Sequence, residues 1–393
     1  MDRHAKPWWS RETRESFLLL YCTRLFVSCK KFLVKSVSVT LTVTHASSSM
    51  SAVTVASGEY RAKLGESPVW DAASKSLVFV DIQTSEVCAL DVASATVKRR
   101  RAPHGASCVV KSAKGGYLVA SGVDDSRTGG RMYRVDLTLE GEEGAFGEAV
   151  GDVFAAVDEL AGHVTNDGAV DPKGRLWIGT KMPRPRPAYV MDAESGAFAR
   201  DDANAPTAAL YCLEAAWKSS ADGKLKAVGV SQRIDEVGAV TISNGIAWSP
   251  DHKTFYYVDT PTKCVKAFAF DAQTGLLSDE RVFTVVGGGS DGVGAPDGVC
   301  VAEDGSVWVA VWDGHCVLRF DAQGELMETI DMPVSRPTSL AFGGDDGRTL
   351  FITSCSYDAS SEVASVLEQE PLAGAIFALK THVKGAEVFA SNF

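Results

Sequence analysis

The 393-residue chain lacks the compact motifs that mark several common chemistries. It has no Gly-rich phosphate loop, no nucleophile elbow, no zinc-ligand spacing and no EF-hand loop. Nine cysteines, 22, 29, 88, 108, 212, 264, 300, 316 and 355, are scattered singly with no CxxC pair and an odd total. That excludes a disulfide framework and reads as buried or free thiols in a reducing compartment. Positive charge is scarce as well: the formal net charge is −11, which argues against a nucleic-acid partner or an anionic membrane surface.

The first 49 residues differ in character from the rest. They hold four Lys and four Arg against three acids (Asp2, Glu12, Glu15), a balance of +5 that leaves −16 for the remainder. Their longest apolar run, Phe17 to Cys22, is too short to span a bilayer, so no transmembrane helix is expected. This basic leader reads either as an organellar transit peptide or as sequence upstream of a start at Met50. The expectation is a disordered leader at 1–49 and one folded domain at 50–393. The domain would be cytoplasmic, or organellar if the leader is a transit peptide.

From residue 59 onward there is no convincing amphipathic helix. Short runs rich in Val, Ile, Phe, Tyr and Trp alternate instead with Gly and Asp turns, an all-β signature. One unit recurs at Ser67-Pro-Val-Trp-Asp, Ser107-Cys-Val-Val, Gly168-Ala-Val-Asp-Pro, Gly245-Ile-Ala-Trp-Ser, Gly298-Val-Cys-Val-Ala and Ser339-Leu-Ala-Phe-Gly. Six copies, each followed by material for further strands, predict a six-bladed β-propeller with four-stranded antiparallel blades around a central channel. The C-terminal runs Gly374 to Leu379 and Ala386 to Ala390 are expected to pair with an N-terminal strand near Val53 to Tyr60, closing the ring. The dipeptides Trp70-Asp71 and Trp312-Asp313 invite a WD40 reading, but they occupy non-equivalent strand positions and the regular forty-odd-residue period is missing.

The residue before the first strand of each copy is, in order, Glu66, Ala106, Asn166, Asn244, Asp297 and Thr338. First strands line a propeller's channel, so these positions converge at one end of the axis. Glu66, Asn166, Asn244 and Asp297 then offer two carboxylates and two amide oxygens to one divalent cation. Hard oxygen donors suit Ca²⁺, Mg²⁺ or Mn²⁺, with Zn²⁺ retained among the candidates. Four protein ligands leave coordination positions open for water and substrate. The plainer reading makes Asn166-Asp167-Gly168, Asn244-Gly245 and Asp297-Gly298 simple turns. Their equivalence across separate copies, with Glu66 in a copy lacking that dipeptide, favours the shared site. His104, His163 and Arg184 are nearby candidates for contact with substrate. His315 reads as a turn residue, and Phe255-Tyr256-Tyr257 as packing between blades.

Gly65-Glu-Ser-Pro-Val-Trp, Thr165-Asn-Asp-Gly, Ser243-Asn-Gly-Ile-Ala-Trp-Ser, Phe255-Tyr-Tyr-Val-Asp and Pro296-Asp-Gly-Val-Cys resemble the regucalcin/gluconolactonase family, also called senescence marker proteins. The likeness runs in order from about residue 60 to near residue 385. It implies a six-bladed propeller, a divalent metal held by Glu66, Asn244 and Asp297 with Asn166 adjacent, and opening of sugar-acid lactones, with Asp297 as general base. Two departures stand out. The arginine expected two residues before the Asn of Asn-Asp-Gly is Val164, and the substrate-contacting acid expected after Gly179-Thr180 is missing from Lys181-Met182-Pro183-Arg184. A small-molecule lactone is the expected partner. A calcium-binding regulator without turnover and an aryl-ester or organophosphate hydrolase are the alternatives.

Overall fold

The computed structural model describes residues 52–102, 105–120, 131–135, 149–152, 163–181, 189–191, 198–200, 207–219, 225–287, 294–357 and 363–393. The leader, His104 and Arg184 lie outside them.

The outermost strand of the last blade comes first in the chain, as β1 (Thr54–Val55). Blade 1 follows as β2 (Gly65–Asp71), β3 (Ser76–Asp81), β4 (Glu86–Asp91) and β5 (Thr96–Arg101). Blade 2 is β6 (Cys108–Lys111), β7 (Tyr117–Ala120), β8 (Arg131–Val135) and β9 (Ala149–Asp152). Blade 3 begins with β10 (Val164–Val170) and β11 (Leu176–Lys181). A two-stranded ribbon, β12 (Tyr189–Met191) and β13 (Phe198–Arg200), precedes its outer strands β14 (Leu210–Ser219) and β15 (Leu225–Arg233). Blade 4 is β16 (Ser243–Trp248), β17 (Thr254–Asp259), β18 (Cys264–Phe270) and β19 (Leu277–Val285). Blade 5 is β20 (Ala295–Val301), β21 (Val307–Trp312), β22 (Cys316–Phe320) and β23 (Leu326–Asp331). Blade 6 is β24 (Pro337–Gly343), β25 (Thr349–Ser354) and β26 (Phe377–Lys380), completed by β1. The innermost strands neighbour one another in the order β2, β6, β10, β16, β20, β24 and back to β2, which closes a six-bladed β-propeller.

The packing explains why the strands read as near-continuous apolar runs. Each blade is covered on both faces, and the core divides into six clusters, one at each interface between blades. Successive residues of a strand point to opposite faces. Phe255 and Tyr257 therefore pack toward blade 3 with Trp177 and Trp248, while Tyr256 and Val258 pack toward blade 5 with Val299 and Val309. Fully buried Phe255 contributes about 1.5–3 kcal/mol of transfer free energy at such an interface.

Several expectations need correction. The ring closes through Thr54–Val55 paired to Phe377–Ala378, but Ala386 to Ala390 is not a strand. That segment crosses the channel end beneath the blades. Ala386 N donates to Val301 O of blade 5, and Ser391 N donates to Lys111 O of blade 2. The long hairpin β14–β15 completes blade 3. One short helix, α1 (Val363–Gln369), packs Val366 and Leu367 against the blade 5–6 core. The seven cysteines among the described residues are free thiols. His315 sits in a turn with positive φ, where the sequence places it. Among the described residues no helix is long and apolar enough to cross a membrane.

Candidate functional site

The inner strands are not regular where they carry the candidate ligands. In blades 1, 3, 4, 5 and 6 the pairing of the first strand with the second skips one extra residue, between Glu66 and Val69, Thr165 and Gly168, Ser243 and Ile246, Pro296 and Val299, and Pro337 and Leu340. A bulge of this kind bends the strand and re-aims the side chain at the step. Four of these bulges turn Asn166, Asn244, Asp297 and Thr338 out of the alternating pattern at equivalent positions, whereas in blade 1 that position is Ser67 and Glu66 is the paired residue just before it.

The glycines beside these positions are there for space. Gly168, Gly245 and Gly298 all lie outside the positive-φ region, so the turn reading does not hold. A Cβ on Gly245 would stand 2.7 Å from Asp297 O, and one on Gly298 2.5 Å from Ser339 Cα. Neighbouring inner strands thus approach backbone to backbone at the site.

All four candidate ligands are buried. Asn166 donates from Nδ2 to Ser243 O (2.8 Å) and to Asn244 Oδ1 (3.0 Å), and Asn244 donates from Nδ2 to Thr260 Oγ1 (2.7 Å). With both amide nitrogens engaged, Asn166 Oδ1 and the second lone pair of Asn244 Oδ1 are the acceptor capacity left to the two amides. Thr260 Oγ1 in turn donates to Pro296 O (2.9 Å), tying the Asn244 side chain to the residue before Asp297. Asp297 Oδ1 is buried without a hydrogen-bond partner. A carboxylate oxygen left so is costly unless a cation compensates it.

Electrostatics tell the same story. Burial, then the nearby Asp297 and Asp167, push the Glu66 carboxyl well above the ordinary carboxylate range. Burial and Asp167 do the same to Asp297. Two carboxylates that cannot comfortably both ionise in a buried site are suited to a dication, which satisfies both together. Among the described residues no three His, Cys, Asp or Glu side chains form a metal cluster. The donor set here is two carboxylates and two amides, and the orphaned Asp297 oxygen makes it fit a hard divalent cation.

Blades without a ligand support those that have one. Thr338 Oγ1 donates to Gly65 O (2.5 Å), next to Glu66, and Ser107 Oγ hydrogen-bonds Thr165 Oγ1 (2.7 Å), next to Asn166. Asp81 accepts from the backbone of Lys63 and Leu64 at 2.9 and 3.1 Å. Asp259 accepts from the backbone of Ile242 and Thr241 at 2.8 and 3.1 Å. Each acid closes the second strand of its blade and pins the chain entering the ligand strand. The recurring Phe-Val-Asp and Tyr-Val-Asp endings were the sequence signal for this role.

Below the ligands the channel widens into a cavity of about 160 Å³, lined by inner-strand residues such as Pro68, Ile246 and Leu340, with the chain from Ala386 to Phe389 at its floor. Asp167 faces this cavity, and burial raises its carboxyl to about 6. His163 is partly exposed, with Nε2 2.7 Å from Thr207 Oγ1 on the same blade. Lys181, which the sequence did not single out for the site, ends β11 directly opposite Val164.

Residues 64–356 match the family described as SMP-30/Gluconolactonase/LRE-like region. Regucalcin of Gallus gallus is 33% identical over 323 residues, covering 81% of this chain and 91% of its own. Among solved structures, a calcium-binding protein, regucalcin, from Agrobacterium tumefaciens superposes with a TM-score of 0.63 at 25% identity, covering 87% of this chain and 97% of its own. A gluconolactonase from Xanthomonas campestris shares the fold with a TM-score of 0.57 at 22% identity, covering 84% of this chain and 89% of its own. The chain is a member of the SMP-30/gluconolactonase/LRE-like family.

Proposed function

We propose that this propeller is a divalent-metal-dependent lactonase whose cation is held by Glu66, Asn244 and Asp297, with Asn166 bound directly or through water. The observation that carries the reading is the buried, unpartnered Asp297 Oδ1 in a set of four oxygen donors from four blades. A bound dication would supply charge compensation and polarisation of the substrate carbonyl. Asp297 accepts the proton of the attacking water, and its unpartnered Oδ1 supports that role. The water oxygen bonds to the carbonyl carbon, the bond from that carbon to the ring oxygen breaks, and the ring oxygen leaves as a hydroxyl carrying the proton that Asp297 took from the water. The product is the open hydroxy acid. Thr260 and Ser243 hold the two amides in place through this sequence.

The family name and the relatives support a lactonase or a regucalcin-type role. A calcium-binding role without turnover is the second reading, favoured by Val164 at a position where the resemblance implies a cationic contact to substrate.

The test is hydrolysis of a panel of aldonolactones and aryl esters by chelator-stripped protein with Ca²⁺, Zn²⁺, Mn²⁺ or Mg²⁺ restored. Metal-restored lactone turnover is the expected result. Silence across the panel together with calcium affinity below the micromolar range supports the regulatory reading instead.

A further inference from the structure

Among the described residues Lys181 brings a cation to the mouth side of the site, where Glu66 and Asp297 attract it without an ion-pair contact. Lys181 is half-buried, and among the described residues no hydrogen bond or ion pair holds its Nζ. Its backbone pairs with Val164 of β10 and, as an isolated bridge, with Ile242. It therefore sits between the segments that lead to Asn166 and Asn244, and it shares a sheet face with Val164. Directly opposed residues of an antiparallel pair have their Cβ atoms about 4.5–5.5 Å apart. Burial lowers the proton affinity of Lys181, against the pull of Glu66 and Asp297. The ammonium thus lies within electrostatic reach of both carboxylates. Asp167 also acts on both of them, but it faces the cavity on the floor side and does not act on Lys181.

The charges are arranged along the channel. A dication at the site would neutralise Glu66 and Asp297, and Asp167 faces the cavity on the floor side. What remains toward the mouth is an uncompensated ammonium on a flexible four-carbon stem. A lysine so placed is a point charge seeking an anion.

Building on the lactonase reading, we infer that Lys181 selects lactones bearing an anionic substituent, a carboxylate or a phosphate, which it pairs with while the ring carbonyl lies at the site of Glu66 and Asp297. The cation expected at position 164 is thus supplied from the strand opposite.

The test uses calcium-loaded full-length protein, Lys181→Met and Lys181→Arg, with γ-butyrolactone and its 5-carboxylate as matched probes. Wild type is expected to favour the carboxylated ring in kcat/KM by about 10-fold or more, Lys181→Met to lose that preference, and Lys181→Arg to keep it. Binding of the ring-opened products, 2-hydroxyglutarate and 4-hydroxybutyrate, measured by calorimetry, reads recognition without turnover. Calcium affinity should rise in Lys181→Met, because a nearby positive charge is gone, and an unchanged affinity contradicts the placement of Lys181 at the site. Equal treatment of both lactones by wild type, or a proportional loss on both in Lys181→Met, overturns the inference while leaving the lactonase reading intact. Turnover of neither lactone, with a Lys181-dependent preference for 2-hydroxyglutarate, retains the inference and removes the lactonase reading.

Discussion

Asn166 and Asn244, 78 residues apart in sequence and on adjacent blades, meet through a 3.0 Å hydrogen bond from Nδ2 of the first to Oδ1 of the second. That contact fixes the orientation of both amides, because the second Asn166 N–H is taken by Ser243 O and Asn244 Nδ2 donates to Thr260 Oγ1. The candidate site is therefore pre-set by a chain of neutral hydrogen bonds running Asn166, Asn244, Thr260, Pro296, which ends beside Asp297.

Thr260 is the middle of that chain, and Thr260→Val tests it with little change of shape. Removing the hydroxyl leaves the Asn244 amide and the Pro296 carbonyl without their partner, at a cost of about 1–3 kcal/mol in urea unfolding. Calcium affinity should fall about 10-fold, since outer contacts of a ligand set its orientation. Calorimetry showing wild-type affinity would mean that Asn244 does not need this anchor.

The raised Glu66 and Asp297 carboxyls make a signed prediction about pH. In metal-free protein the folded form keeps protons that the unfolded chain releases in the ordinary carboxylate range. Stability of the metal-free form therefore falls as pH climbs from that range through the raised values, and it is greatest on the acid side. Bound calcium takes the place of the protons, so the rise in Tm that calcium produces should grow with pH. Asp297→Asn removes one of the two charges and should raise the Tm of the metal-free form near neutral pH by about 2–4 °C, while abolishing the calcium effect. A calcium increment in Tm that shrinks with rising pH would contradict this account.

Close approach of the inner strands gives a third prediction. In Gly245→Ala the new methyl would meet Asp297 O and Val299 Cγ2, both at 2.7 Å. Overpacking of this kind costs about 1–3 kcal/mol, and here it displaces the Asp297 backbone, so calcium affinity falls with stability. Gly305→Ala is the control. Its Cβ meets only Ala322 Cβ at 3.7 Å in a turn with φ of 83°, so it strains the backbone and leaves calcium binding unchanged.

The blades were legible because each strand alternates between two buried interfaces, as Phe255, Tyr256 and Tyr257 do, and because six copies repeat one strand–turn–strand unit. The equivalence of Asn166, Asn244 and Asp297 was legible for a related reason: propeller symmetry carries equal offsets in sequence to equal register positions, from which Glu66 stands one residue away. The bulges were not, since an extra residue in a strand leaves no mark on the hydrophobic pattern. Lys181 escaped notice because its place depends on register with Val164 across those bulged strands. Ala386 to Ala390 was misread as a strand: its apolar residues serve the floor of the channel, and composition does not separate that use from a blade.

The most direct test of the account is to crystallise the protein with Mn²⁺ and locate the ion by anomalous scattering. The account predicts a single ion in the channel with oxygens of Glu66, Asn244 and Asp297 within about 2.0–2.6 Å, and Asn166 either bound or one water away. A channel without an ion at saturating Mn²⁺, or an ion held elsewhere with these four side chains unengaged, would contradict it.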